Sequence, residues 1–152
     1  MTSSHHKLRD YSPEDFSSLY ALDQICFPPG IAYPEEMLRM FLEQPGAICL
    51  VSESRGALAG FIVAESDGIT GHIVTLDVAP EHRRRGIGST LLELAERKLA
   101  ANGVRTVEIE TATENEAGVA FWQGHGYREF GALRGYYLDR HDAYAMRKRL
   151  EP

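Results

Sequence analysis

Apolar residues recur every three to four positions in the first third of the chain, which is the period of an amphipathic helix. A short strand is predicted at 7–10. Ser12 and Pro13 then stand where a helix cap and a first helical residue belong, and this helix is expected to end near Cys26. A Pro-Pro-Gly stretch follows, and a second helix is predicted over 34–44, before a Pro-Gly pair. The pattern therefore predicts two helices joined by a proline-rich loop.

The middle of the chain changes to short apolar runs separated by turn residues, which is the pattern of β-strands. Strands are predicted at 47–53, 58–66 and 71–78, and the short turns between them favour an antiparallel meander. The pattern then becomes a loop, an amphipathic helix over 88–101 and a strand over 106–112. A strand, a crossover helix and a second strand in one sheet imply a right-handed parallel unit.

The last part of the chain predicts one more helix and two more strands. Asn115 suits the cap of a short helix over 115–126, and strands are expected near 127–136 and 143–150. The order β-α-α-β-β-β-α-β-α-β-β predicts an α/β (α+β mixed) fold, in which a mixed, mostly antiparallel sheet has a central parallel pair and helices on both faces. A chain of 152 residues fits one domain, 1–152, that buries roughly 68–70% of its unfolded surface.

Composition narrows the possible partners. The chain has 22 acidic and 16 basic side chains, so it lacks the overall basic field that non-specific nucleic-acid binding needs. Its polar start lacks the apolar core of a signal peptide, and the longest apolar run, at 58–64, is too short to span a bilayer. A cytoplasmic protein without nucleic-acid or membrane partners is expected. Cys26 and Cys49 are expected to be reduced, and no metal is predicted, because cysteine and histidine lack the spacing of a zinc site.

The segment EHRRRGIGSTLLELAERKL, residues 81–99, places three arginines and two glycines directly before the amphipathic helix. Gly86 and Gly88 allow a positive φ and a close backbone approach, so successive N–H groups can converge on an anion at the positive end of the helix. Arginine side chains add charge and bidentate phosphate contacts. The pattern predicts a pyrophosphate site, and the alternative is a glycine-rich loop with solvated arginines. The glycine spacing of nucleoside triphosphate loops and of dinucleotide sites is absent.

The stretch VAPEHRRRGIGSTLL closely resembles the coenzyme A signature of the GNAT superfamily of N-acetyltransferases, Gln/Arg-x-x-Gly-x-Gly/Ala, which Arg83, Gly86 and Gly88 match. The stretch NEAGVAFWQGHGY is similar to the family's Asn-x-x-Ala-x-x-x-Tyr-x-x-x-Gly-Phe helix. The predicted element order also fits, so the resemblance runs over nearly the whole chain. It implies a GNAT-type three-layer fold, a single N-acetyltransferase domain and acetyl-CoA (coenzyme A) as the cofactor.

This resemblance also implies which residues hold the cofactor. Backbone amides of about 84–89 would hold the pyrophosphate, Val78 and its neighbours the acetyl and pantetheine portions, and Asn115 the pantetheine arm. Arg84 or Arg85 would reach the outer phosphates. The expected cofactor-binding residues are Leu76, Val78, Arg83, Arg84, Arg85, Gly86, Ile87, Gly88, Ser89, Asn115 and Trp122.

Acetyl transfer to an amine needs a group that removes the ammonium proton. In TVEIETATEN, Glu108 and Glu110 alternate with apolar residues and therefore share one face of the strand. The chain most resembles the ribosomal-protein-alanine N-acetyltransferases, in which a glutamate five residues before the Asn is a proposed base, and that position is Glu110. The alternatives are Glu108 as the base and an exposed glutamate without a catalytic role. A backbone N–H near 77–78 is the expected oxyanion donor, since this strand splays open in the family.

In the same enzymes a tyrosine twelve positions after the glutamate protonates the departing thiolate, and that position is Trp122 here. An indole cannot serve as a general acid. Either Tyr127, Tyr136 or Tyr137 takes the role, or the thiolate takes its proton from water. Tyr127 and Tyr137 are therefore the expected catalytic partners of Glu110, and Trp122 is alternatively an apolar wall of the cofactor channel.

Two further stretches concern the acceptor. CFPPGIAYPEEM resembles the Phe-Pro loop that covers the peptide in N-terminal acetyltransferases, and the tyrosine pair before the last strand is similar to the pair that holds the peptide there. The expected substrate-binding residues are Phe27, Pro28, Tyr33, Tyr136 and Tyr137. An α-amine, with a pKa of ~7.7–8.0, is also neutral at pH 7 far more often than a lysine amine near ~10.4. The predicted acceptor is a protein or peptide N-terminal α-amine.

Two alternatives stay open. The acidic surface also suits a small cationic acceptor, such as a polyamine or an aminoglycoside. Loss of the usual tyrosine at Trp122 also fits a non-catalytic sensor that binds acyl-CoA. The protein is expected to be a monomer or a homodimer, and no role is predicted for His72, His82, His125 or His141.

Overall fold

A seven-stranded sheet forms the centre of the protein in the computed structural model, which describes residues 6–137 and 141–151. Across the sheet the order is β1-β2-β3-β4-β5-β7-β6, in which β4 and β5 pair in parallel and the other neighbours pair antiparallel. The strands are β1 (His6–Asp10), β2 (Ile48–Ser54), β3 (Ala57–Ser66), β4 (Thr70–Val78), β5 (Thr106–Ala112), β6 (Arg128–Leu133) and β7 (Ala143–Arg149). The predicted fold class is confirmed.

Four α-helices of the described chain lie on the two faces of this sheet. They are α1 (Phe16–Cys26), α2 (Glu35–Glu43), α3 (Ile87–Ala101) and α4 (Glu116–Gly124), and short 3-10 turns lie at Pro13–Asp15 and Pro80–His82. As predicted, Pro13 stands in the first turn before α1, where the Ser12 amide donates to the Asp15 carboxylate at 2.9 Å. Within the described ranges, none of the helices has the length and apolar character that a membrane crossing requires.

Apolar side chains form one core on each face of the sheet. On one face α3 packs across β2, β3 and β4 and α4 packs on β5, and the core between them includes Leu91 and Ile109. On the other face α1 packs on β3, through residues such as Leu19 and Phe61. Since side chains alternate along a strand and Ile109 faces α3, Glu110 lies on the α1 side of the sheet. We call these two cores the α3-side core and the α1-side core. The sheet lies between them, and the predicted site residues are divided between its two faces.

Strand β4 departs from regular pairing in two ways. Opposite β3 the register shifts so that Val74 is an extra residue, a β-bulge. Opposite β5 the ladder covers only 70–72 against 106–108 and ends at His72 and Glu108. Within the described part of the chain, residues 73–78 therefore have no strand partner on the β5 side. This opening between β4 and β5 is where the candidate site lies.

Candidate active site

Glu110 lies at the centre of a hydrogen-bonded chain at the opening between β4 and β5. Its Oε1 lies 2.6 Å from His72 Nε2 and accepts a hydrogen bond of 3.1 Å from the Tyr136 hydroxyl. On its other side, His72 Nδ1 lies 3.3 Å from Glu65 Oε2. In the part of the chain that the structure describes, Glu110 Oε2 has no hydrogen-bond partner, so this oxygen is free to accept a proton.

The charges around His72 favour its protonated form. Burial alone would lower the pKa of His72, but the hydrogen bonds and charges of Glu110 and Glu65 outweigh burial and raise that pKa. Burial, reinforced by Glu110, raises the pKa of Tyr136 to about 12. This hydroxyl therefore keeps its proton and donates to Glu110 at neutral pH. The arrangement holds one carboxylate oxygen between two donors.

Three tyrosines gather around Glu110. The rings of Tyr136 and Tyr137 meet edge to face, with 4.9 Å between their centroids. Tyr33, from the loop between α1 and α2, donates from its hydroxyl to the Val74 carbonyl on the β4 bulge at 3.1 Å. Burial raises the pKa of both Tyr33 and Tyr137, and the charge of Glu110 adds to both effects. The structure thus brings the predicted base together with three of the predicted substrate-binding residues.

The predicted phosphate loop lies at the start of α3. Arg84 and Gly86 adopt the left-handed backbone conformation, with φ of 66° and 79°. Thr90 is the first residue whose amide bonds back within the helix, to the Gly86 carbonyl at 3.0 Å. The amides of 87–89 therefore have no intrahelical acceptor and stand at the positive end of the helix dipole. This loop, with the exposed side chains of Arg84 and Arg85 beside it, suits an anion.

Arg83, the arginine of the predicted coenzyme A signature, makes its contacts within the protein. Its Nε donates to the Val78 carbonyl at 3.1 Å, and its Nη2 lies 3.6 Å from Cys26 Sγ. The Cys26 thiol donates to the same carbonyl at 3.4 Å. These contacts tie the phosphate loop to the end of β4. Contact between Arg83 and a cofactor stays a prediction.

Other predicted cofactor residues have local contacts of their own. A Cβ at Gly88 would stand 3.4 Å from the Phe121 ring, which is ordinary contact, so packing alone does not require glycine there. Ser89 Oγ lies 2.9 Å from His125 Nε2. Asn115 caps α4, since its Oδ1 accepts the Gly118 amide at 3.0 Å. Ile87 is buried and Leu76 and Val78 are half-buried against the α3-side core. Cofactor contacts of these residues also stay predictions.

Tyr127 lies away from Glu110. It is buried in the α3-side core, and its hydroxyl donates to Glu96 Oε2 at 2.7 Å. Glu110 lies on the opposite face of the sheet, so the structure does not bring these two predicted catalytic residues together. The predicted strand over 127–136 begins only at Arg128, because Gly126, with a φ of 93°, turns the chain before it. This turn directs Tyr127 into the core.

The remaining predicted residues lie in the α3-side core, in the loop between α1 and α2, and on β5. Trp122 is buried in the α3-side core, edge to face with Tyr127, at 5.2 Å between centroids. Phe27 is half-buried and Pro28 exposed, both at the start of the loop between α1 and α2. Glu108 is half-buried opposite His72 in the parallel ladder. Both cysteines are free thiols, as expected.

His72 is the site residue that the sequence analysis missed. No role was predicted for it, because its spacing from other histidines and cysteines excludes a metal site. The available signal was its place in GHIVTLDV, a polar ring in an apolar strand that was expected to pair in parallel with the glutamate strand. That pairing puts His72 opposite Glu108 and within reach of Glu110.

Comparison with known proteins identifies relatives over nearly the whole chain. The family model described as Acetyltransferase (GNAT) family matches residues 16–127. An N-alpha-acetyltransferase of Saccharolobus solfataricus is 27% identical over 157 aligned positions, which cover 94% of this chain and 92% of the relative. The crystal structure of Ard1 from Thermoplasma volcanium matches with a TM-score of 0.88 at 25% identity, over 97% of this chain and 99% of that one. The ribosomal-protein-S18-alanine N-acetyltransferase from Escherichia coli has the same fold, with a TM-score of 0.86 at 22% identity, over 97% and 95% of the two chains.

Proposed function

Because the chain belongs to the GNAT family of acetyltransferases, we propose that it transfers an acetyl group from acetyl-CoA to the α-amine at the N-terminus of a protein or peptide. The observation that carries the proposal is the position of Glu110, held by His72 and Tyr136 at the opening between β4 and β5. The name of the Saccharolobus solfataricus relative, N-alpha-acetyltransferase, supports the acceptor class.

The opening fits acetyl-CoA, which supplies the activated acetyl thioester when it is bound. The free amides of 87–89 would hold its pyrophosphate, and Arg84 and Arg85 its outer phosphates. The unpaired edge of β4, over 73–78, would offer backbone groups to the pantetheine amides. Gly86 leaves the approach clear, since no atom lies within 4 Å of the place where a Cβ would stand.

Glu110 is the base in this proposal. The acceptor amine arrives mostly as an ammonium ion and must lose a proton before it can react. Glu110 Oε2 takes that proton, while the contacts of Oε1 with His72 and Tyr136 hold the carboxylate in position. Protonated His72 also places a positive charge 2.6 Å from Glu110 Oε1 and leaves Oε2 to face the amine.

Tyr137 is the group that we assign to the departing thiolate. The other two tyrosine hydroxyls are already engaged, because Tyr136 donates to Glu110 and Tyr127 donates to Glu96. Burial raises the pKa of Tyr137, so its hydroxyl keeps its proton at neutral pH. Direct protonation by water is the other route, and a Tyr137→Phe variant with normal turnover would select it.

Acetyl-CoA and a library of peptides that differ in their first two residues test the acceptor class. Mass spectrometry then locates the acetyl group on each product. Peptides with a blocked N-terminus and an internal lysine are the matched control, and we expect acetylation of free N-termini alone. Turnover of polyamines or aminoglycosides without peptides would select a small-molecule acceptor. Tight acetyl-CoA binding without turnover of any amine would select the sensor.

A further inference from the structure

Two buried carboxyl groups meet between α1 and β4, beneath the loop that carries Tyr33. Asp23 on α1 is 0% exposed and Asp77 on β4 is 1% exposed. Asp23 Oδ2 accepts the Tyr33 amide at 2.8 Å, and Asp77 Oδ1 accepts the Thr75 hydroxyl at 2.5 Å. The other two oxygens, Asp23 Oδ1 and Asp77 Oδ2, are fully buried and receive no hydrogen bond from an ordinary donor among the described residues.

A proton between the two carboxyl groups would account for both buried oxygens. The two elements touch beside the pair, because the thiol of Cys26, one turn after Asp23, donates to the carbonyl of Val78, the residue after Asp77, at 3.4 Å. If both were ionised, two like charges would repel in a fully buried place. A single proton removes that repulsion and gives each oxygen a partner. Burial, together with the charge and hydrogen bond of Asp23, raises the pKa of Asp77 well above its ordinary value.

The groups around the pair do not neutralise a second negative charge. The titratable and charged groups that face it are Cys26 and Tyr33 from α1 and the following loop, Cys49 from β2, and Arg83 after β4. Burial raises the pKa of Cys26 to about 11 and raises the pKa of Cys49 as well, so both thiols are neutral at pH 7. Arg83 lowers the pKa of Asp77 but is exposed and donates to the Val78 carbonyl.

We propose that Asp23 and Asp77 hold one proton between them and that this contact positions the loop between α1 and α2 for the acceptor. Tyr33 is tied to the core of the fold at two points, through its amide to Asp23 and through its hydroxyl to the Val74 carbonyl. Loss of the shared proton separates α1 from β4 and loosens the first of these ties. Asp23 and Asp77 are positioning residues, because they act through Tyr33. The statement about the acceptor rests on the proposed function.

Asp77→Asn is the matched variant for the shared proton. Its amide group can donate to Asp23 Oδ1, while its oxygen still accepts from Thr75, so it imitates a permanently protonated Asp77. Infrared difference spectroscopy should show a buried protonated carboxyl in the wild type at neutral pH, which Asp77→Asn lacks and which the wild type loses at alkaline pH. A wild type whose spectrum contains no such carboxyl at neutral pH would overturn the proposal.

Amide hydrogen exchange tests the positioning role without an acceptor. Asp23→Ala removes the partner of the Tyr33 amide, so exchange across 28–34 should accelerate roughly fivefold to tenfold. Asp23→Asn should restore the protection, because its oxygen still accepts from that amide. If Asp23→Ala does not fold, the same segment is compared between the wild type and Asp77→Asn at alkaline pH, where the wild type should exchange faster. Equal exchange in these comparisons contradicts the proposal.

Steady-state kinetics test whether Asp23 and Asp77 position the loop for the acceptor. With a peptide acceptor, Asp23→Ala should raise KM roughly fivefold to tenfold and leave kcat and coenzyme A affinity within about twofold of the wild type. Glu36→Gln, an exposed charge change on α2, is the control and should match the wild type. An unchanged KM in folded Asp23→Ala overturns the positioning role. If no peptide is acetylated but the infrared and exchange results hold, the proposed function fails and the shared proton stands.

Discussion

Replacing His72 with Gln tests the charge that the structure places between Glu110 and Glu65. The variant keeps a polar side chain that can donate to Glu110 but removes the positive charge. In the wild type His72 Nε2 lies 2.6 Å from Glu110 Oε1, and the two side chains are only 29% and 18% exposed. A hydrogen bond between charged groups in such a place contributes about 1.5–3 kcal/mol, roughly twice a neutral one, so we expect a loss of about 1–2 kcal/mol in the free energy of unfolding.

The pH dependence of this loss has a definite sign. The pKa of His72 is raised in the folded protein above its unfolded value near ~6.5. Its contribution to stability is therefore fully present below the unfolded pKa and disappears as pH rises through the folded pKa. The difference between the wild type and His72→Gln should be largest near about pH 6, below the unfolded pKa, and should shrink as pH rises through the folded pKa.

Urea denaturation followed by tryptophan fluorescence measures these differences, because Trp122 is the one tryptophan of the sequence and is buried in the fold. Glu65→Gln is the companion variant, because it removes only the charge at the longer contact of 3.3 Å, on a side chain that is 36% exposed. That contact should contribute less than about 1 kcal/mol. A His72→Gln deficit that is absent near about pH 6, or that grows with pH, would refute the reasoning.

Three other variants test neighbouring parts of the site. Glu110→Gln should lower turnover at pH 7 by roughly 10²–10⁴-fold and by less at high pH, where the amine is already neutral, and an unchanged pH–rate profile or an equal loss in Glu108→Gln would argue against Glu110 as the base. Gly86→Val should abolish coenzyme A binding in calorimetry and cost about 1–2 kcal/mol through backbone strain at a φ of 79°, whereas Gly56→Val, at an equally open φ of 82°, should lose stability without losing a ligand. Tyr127→Phe should cost about 1–3 kcal/mol, because Glu96 loses a buried donor, and should leave kcat within about twofold of the wild type. A large loss of kcat at normal stability would instead support Tyr127 as the acid.

Local patterns were sufficient to predict the parts of the site that depend on neighbours in sequence. Val107 and Ile109 are buried while Glu108 and Glu110 are half-buried, as the two-residue period of a strand requires. The backbone turn of the predicted phosphate loop was equally predictable, because the positive φ of Gly86 belongs to a loop-to-helix junction that the glycine and the following apolar stripe define. Both features need no knowledge of the rest of the chain.

Contacts between distant elements were not predictable in the same way. His72 and Glu110 are 38 residues apart, and their contact depends on the parallel register of β4 and β5, which no local pattern specifies. For Tyr127 the sequence was compatible with a place beside Glu110. In the structure, the left-handed turn at Gly126 and a hydrogen bond to buried Glu96 hold it in the α3-side core instead.

The bulge at Val74 explains why the polar residues of β4 share one face. Strict alternation from His72 would put Leu76 on its face and Asp77 on the other. The extra residue reverses this order, so that Leu76 packs toward the α3-side core while Asp77 meets Asp23 of α1. A regular strand would therefore direct Leu76 toward the tyrosines and leave Asp23 without its partner. One inserted residue thus puts Asp77 on the α1 side, the face of His72 and Glu110, and it leaves Leu76 and Val78 on the side where α3 begins.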